Sequence, residues 1–179
     1  VRRPPSEGPH PAIQKCHWFL QNVDQTPMDE AKKTQMKAEA RFLRAYQYYT
    51  LTQLYGDVPL TTKTLSQEEA NVINKTSITE VQQFVLDELG AIAPELPVSY
   101  SGSEVGKITR GAALSLKARL ELYTARYADC ITTSEQIMAL GYSLFSSYAD
   151  LFRIQNENNR EVILDIQYRA NDYPNKNLG

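Results

Sequence analysis

Apolar residues recur along this chain with a helical period almost from end to end. Across 38–60, Ala38, Phe42, Ala45 and Tyr49 fall at i, i+4, i+7 and i+11 and so share one helical face. Leu43, Leu51 and Leu54 widen that face, as expected of a helix packed on more than one neighbour. The pattern predicts a long helix over 28–55, entered through Thr26 as N-cap with Pro27 at the first helical position. Gly56 supplies the backbone freedom that closes the helix, and Pro59 prevents its resumption. Upstream, Ile13, Cys16, His17 and Leu20 predict a helix over 13–22. Downstream, Ser77 with Glu80 has capping-box spacing and opens a helix carrying Val81, Phe84, Val85, Leu89 and Ile92, which Pro94 and Pro97 stop. Two further helices are predicted over 109–124 and 127–140, joined by a short turn around Ala125. The polar stretches 61–75 and 98–107 read as exposed loops.

After Gly141 the period changes. The β-branched run Glu161-Val-Ile-Leu-Asp-Ile-Gln-Tyr168 predicts a strand, which needs a partner to pair with. Two antiparallel helices with a short turn are the unit of tetratricopeptide repeats, and the 28–55 and 77–93 helices form an earlier, longer-looped pair. The predicted fold class is therefore mainly α: a tetratricopeptide-like helical repeat scaffold with a small β element near the C-terminus. The Pro-rich residues 1–12 are predicted to be an extended N-terminal segment ahead of a helical domain over 13–179.

The chain of 179 residues suits one domain with a sizeable core, and its 42% hydrophobic and 22% charged content is ordinary for a globular protein. A net charge of −2 lacks the basic excess of a nucleic-acid binder, so no nucleic-acid partner is expected. No window carries the roughly 18 apolar residues of a membrane-spanning helix. Cys16 and Cys130 lie far apart and form no C-x-x-C pair, so no disulfide framework is expected.

Gly102-Ser-Glu-Val-Gly-Lys-Ile-Thr109 is one residue short of a phosphate-cradling loop, and Ile108 stands where the Mg²⁺-binding hydroxyl should be. It reads as a solvent loop ahead of a helix. His10 and His17 have no metal-ligand partners at useful spacing, and no nucleophile–histidine arrangement accompanies them. The adjacent carboxylates Glu68-Glu69 and Asp87-Glu88 read as solvated faces. No catalytic residue, cofactor or metal site is thus predicted. Lys37, Arg41, Arg44 and Tyr48 share a second face of the long helix. The two arginines are expected to bond helix-end carbonyls and buried carboxylates such as Asp57. Aromatic rings that could stack on sugar C–H faces are abundant, but most of the eleven tyrosines lie at core spacing. Trp18, Tyr100 and Tyr173 are the ones placed for presentation to a ligand.

The runs Glu39-Ala-Arg-Phe-Leu-Arg-Ala45 and Tyr55-Gly-Asp-Val-Pro-Leu60 resemble the signature of SusD/RagB-type outer-membrane nutrient-binding lipoproteins. Further blocks resembling that family lie in the family's order at 13–24, ahead of the signature, and at 81–97, 106–123 and 142–163 after it, with Lys107 where the family usually has Arg. The resemblance covers 13–168, less than half of a typical member. The lipobox and the C-terminal half of the family pattern have no counterpart in this sequence. It implies a non-enzymatic extracellular module that binds a nutrient glycan or peptide, most naturally an oligosaccharide. Its partner would be a TonB-dependent, SusC-like outer-membrane transporter, and its anchor a lipidated Cys not present in this chain. Glu39, Arg41, Arg44, Gly56, Asp57 and Pro59 then form a structural signature, from which no binding residue transfers. The alternative reading is a tetratricopeptide-type adaptor whose concave surface holds a protein segment.

Overall fold

The computed structural model describes residues 9–166. Its helices are α1 (Pro9–Asn22), α2 (Glu30–Tyr55), α3 (Gln67–Val72), α4 (Ile78–Ile92), α5 (Arg110–Tyr123), α6 (Tyr127–Met138) and α7 (Tyr148–Leu151). α1 packs on α2, α2 on α4, α4 on α5 and α5 on α6, which is the serial stacking expected of helical hairpins. The shared core is built from Ala38, Phe42, Ala45, Tyr48 and Leu51 of α2, Val81, Val85, Leu89 and Ile92 of α4, and Ala113, Leu116 and Leu120 of α5. Small residues at 38, 45, 112 and 113 let these helices approach closely.

Several boundaries move for identifiable reasons. Helix α1 begins at Pro9, so the extended segment predicted over 1–12 does not reach residue 12; residues 1–8 lie outside the described residues. The N-cap of α2 is Asp29, whose Oδ1 accepts from Lys32 N at 2.8 Å, rather than Thr26 with Pro27 at N1. A carboxylate at that position also meets the positive end of the helix dipole. The α2 face is narrower than predicted, since Leu43 and Leu54 are exposed while Tyr48 and Thr52 are buried. The polar 61–75 stretch is not all loop: Ser66 and Glu69 form a capping box that starts α3. The predicted capping box at Ser77 and Glu80 is present at the start of α4, and the turn at Ala125 takes φ +58° between α5 and α6.

The strand predicted over 161–168 is not formed in 161–166, and residues 167 and 168 lie outside the described residues. A β-branched run becomes a strand only beside a partner ladder, and none lies next to this one among the described residues. The small β element sits elsewhere. Val58 and Thr76 pair in an antiparallel bridge, Val58 N donating to Thr76 O at 3.2 Å and Thr76 N to Val58 O at 3.0 Å.

Candidate functional site

The conspicuous sequence signature is a joint between α2 and α4. Gly56 closes α2 at φ +69°, ψ −118°, a conformation that L side chains avoid. Asp57 then accepts from Ile78 N at 2.8 Å, satisfying one of the orphan donors at the start of α4. Val58 makes the bridge to Thr76, and after Pro59 the chain is tied down by Tyr48, whose hydroxyl accepts from Thr61 N at 2.9 Å.

Arg41 and Arg44 do not reach Asp57. Their carboxylate is Glu88, one of the pair read from sequence as solvated. Arg41 clasps it with two hydrogen bonds of 3.2 and 2.9 Å, and Arg44 Nη2 adds one at 2.6 Å. Burial alone would raise the Glu88 pKa, but the bonds from Arg41 and then Arg44 outweigh it and hold the carboxyl below its ordinary value of 4.5. Arg44 also lies 5.4 Å from the centroid of Phe84, which meets Tyr48 edge-on. The arginine that does bond helix-end carbonyls is Arg110, through Ala93 O at 3.1 Å and Pro94 O at 3.2 Å. His17 is fully buried; burial first, then the nearby Arg44 charge, lower its pKa and favour the neutral imidazole.

A concavity of mixed polar and apolar lining lies at the N-terminal end of α5. A cleft of about 200 Å³ opens between 98–109 and the later residues Tyr142 and 158–165. Tyr100, Lys107 and Thr109 line one side; Tyr142, Asn158, Asn159 and Asp165 line the other. Tyr100 is held from behind: its hydroxyl donates to Glu39 Oε1 at 3.0 Å and accepts from Gln35 Nε2 at 3.0 Å. Burial and the Glu39 carboxylate push its pKa well up, so it remains a neutral phenol. Glu39 thus orients a cleft residue from within the signature helix. On the far side, Asn159 Oδ1 accepts from Glu161 N at 2.9 Å and its Nδ2 donates to Asn156 O at 2.8 Å. Asn158 takes φ +58°, which Asn tolerates better than most residues.

Of the three ligand candidates, Tyr100 lines this cleft and Trp18 does not; Trp18 stands on α1, 64% exposed. Tyr173 lies outside the described residues. Asn158, Asn159 and Asp165 are cleft residues that the sequence reading passed over. The available signal was a polar, amide-rich break between the aromatic 142–152 stretch and the apolar 162–166 run. The 102–107 stretch forms a 3-10 turn with Lys107 bonded to Glu104 at 2.6 Å, and no strand precedes it, so it is not a phosphate loop. Among the described residues, no group of three or more His, Cys, Asp or Glu could hold a metal ion. No helix there is long and apolar enough to cross a membrane.

The stacked helical hairpins thus carry an irregular cleft between the 98–109 loop and the later residues. Residues 8–122 match the family model described as starch-binding and associating with the outer membrane, SusD-like. This chain belongs to the SusD-like family. The starch-binding protein SusD of Bacteroides thetaiotaomicron is 30% identical over 87% of this chain and 29% of its own length. A crystal structure of a SusD-like carbohydrate-binding protein from Bacteroides fragilis superposes with a TM-score of 0.85 at 32% identity, over 90% of this chain and 32% of that one. A laminarin-binding SusD-like protein superposes at 0.83 with 25% identity, over 87% of this chain and 35% of that one. The chain spans about 30% of the length of the curated relatives it matches.

Proposed function

We propose that this chain is part of a non-enzymatic glycan-capture protein of the outer membrane, handing bound oligosaccharide to a TonB-dependent, SusC-like transporter. The observation that carries the reading is the family match over 8–122, among relatives whose names state starch, laminarin or carbohydrate binding. The local chemistry supports it. Sugars present C–H faces that stack on aromatic rings and hydroxyls that pair with amides and carboxylates. The cleft offers Tyr100 and Tyr142 beside Asn158, Asn159 and Asp165, and Trp18 adds an exposed ring on α1. Anchoring through a lipidated cysteine outside this chain belongs to the same proposal.

A calorimetric screen tests it, titrating laminarihexaose, maltoheptaose and a panel of peptides into the 179-residue chain. Saturable heat with at least one saccharide is expected. Peptide binding with no saccharide binding would replace the reading with the protein-segment adaptor.

A further inference from the structure

Gly111 occupies the second position of α5 with ordinary helical backbone, so its conformation does not call for glycine. Glycine is a poor helix former, and the neighbouring Ala112 and Ala113 show that small side chains otherwise fit this stretch. A side chain here would have to displace the Tyr142 ring. A Cβ on residue 111 would lie 2.2 Å from the Tyr142 hydroxyl oxygen and 2.7 and 2.8 Å from ring carbons Cε2 and Cζ. Those separations are far inside van der Waals contact. The phenol also lies 3.5 Å from Thr109 Oγ1, the side chain that caps α5.

Tyr142 is the first contact that ties the chain after Gly141 to α5; the next comes at 163–166, which line a groove with Phe42, Ile108 and Leu116. Leu144, Tyr148, Phe152 and Ile154 are each more than 70% exposed. The bonds of this stretch are largely internal, with Ser143 N donating to Arg160 O at 3.2 Å and Phe145 N to Glu161 Oε2 at 2.7 Å. Residues 162–165 line the cleft with Tyr142.

We propose that Gly111 is a positioning residue for the cleft. It is the seat of Tyr142, and the seated ring latches the post-Gly141 segment onto α5, so that the polar side of the cleft stands opposite Tyr100. This rests on the reading that the cleft takes a saccharide, in which Tyr142 supplies a stacking face.

The test compares the wild-type chain with Gly111→Ala, Tyr142→Ala, Tyr142→Phe and the double alanine variant. Backbone hydrogen exchange at Ser143 and Phe145 reports the latch, and titration with laminarihexaose reports the cleft. Gly111→Ala and Tyr142→Ala should each speed exchange at both amides and weaken laminarihexaose binding, by roughly tenfold. Exchange within α4 should stay unchanged, and the double variant should be no worse than Tyr142→Ala. Tyr142→Phe keeps the seated ring and should stay within about twofold of wild type. Unchanged exchange at Ser143 and Phe145 in Gly111→Ala, or additive losses in the double variant, would overturn the latch. Should Gly111→Ala fail to fold, Tyr142→Ala decides alone by the same two readouts. If exchange follows the prediction but the wild type binds no laminarihexaose, the latch stands as a local contact and its assignment to a saccharide cleft is overturned. If the wild type binds and Gly111→Ala binds equally well, the positioning role is overturned while glycan capture survives.

Discussion

The helical block and the segment after Gly141 are built on opposite terms. In the block, α2, α4 and α5 bury Leu89, Ile92, Val81, Val85 and Leu120 completely, and its buried charge is paired. After Gly141, large apolar side chains point outward, and the backbone is held by short turns, the four-residue α7 and bonds to nearby polar side chains rather than by long helices. The first arrangement fixes a shape. The second leaves hydroxyls, amides and rings at a surface, which is what recognition of a polar ligand needs. The proposed division of labour is therefore scaffold before Gly141 and, with the 98–109 loop, recognition around it.

The sharpest way to break that contrast is to remove the block's buried carboxylate. Glu88→Ala should cost about 3–5 kcal/mol in denaturant melts, because Arg44 is left buried without its partner. The same pair gives the pH dependence a sign. The folded Glu88 pKa lies below its ordinary 4.5, so its contribution is complete above that value and is lost as pH falls through the folded pKa. Wild-type stability should thus fall on acidification below about pH 4.5, and the alanine variant should show a flatter slope there. A slope equal to wild type would remove Glu88 from the scaffold's account.

Leu89→Ala comes next, at about 2–5 kcal/mol for a fully buried leucine. Gly56→Ala should cost about 1–3 kcal/mol, since residue 56 sits at φ +69°, ψ −118° and a side chain is strained there whatever the space. The smallest effect sharpens the contrast from the other side. Leu144→Ala, at a position 86% exposed, should change thermal stability by less than about 0.5 kcal/mol. A loss comparable to Leu89→Ala would show that the later segment is a second core.

The same division explains what was legible in the sequence. Period-3.6 burial, capping boxes and prolines are local signals, and they placed α1, α2, α4, α5 and α6 within a few residues. Partners that depend on tertiary approach were not legible. Nothing local distinguishes Glu88 from the solvated Asp87 beside it, yet it faces two arginines across the α2–α4 interface. The run at 161–168 has strand propensity, but pairing is decided by a neighbour that period and composition do not supply. Gly111 reads as an ordinary helix glycine until Tyr142, 31 positions on, is found resting against it. Family resemblance picked out Glu39, Arg41, Arg44, Gly56, Asp57 and Pro59 as a signature without showing which partners they bond, Arg41 and Arg44 meeting Glu88 and Asp57 meeting Ile78 N. Loop placement marked Tyr100 only as a presentable aromatic, without the Glu39 hydrogen bond that fixes it.

The most direct test of the division is hydrogen exchange of the wild-type chain with and without saturating laminarihexaose or maltoheptaose. The account predicts slow, ligand-independent exchange in α2, α4 and α5, with saccharide-dependent slowing at 98–109 and 142–165. Saccharide-dependent slowing confined to the helical block, with none at 98–109 or 142–165, would contradict it.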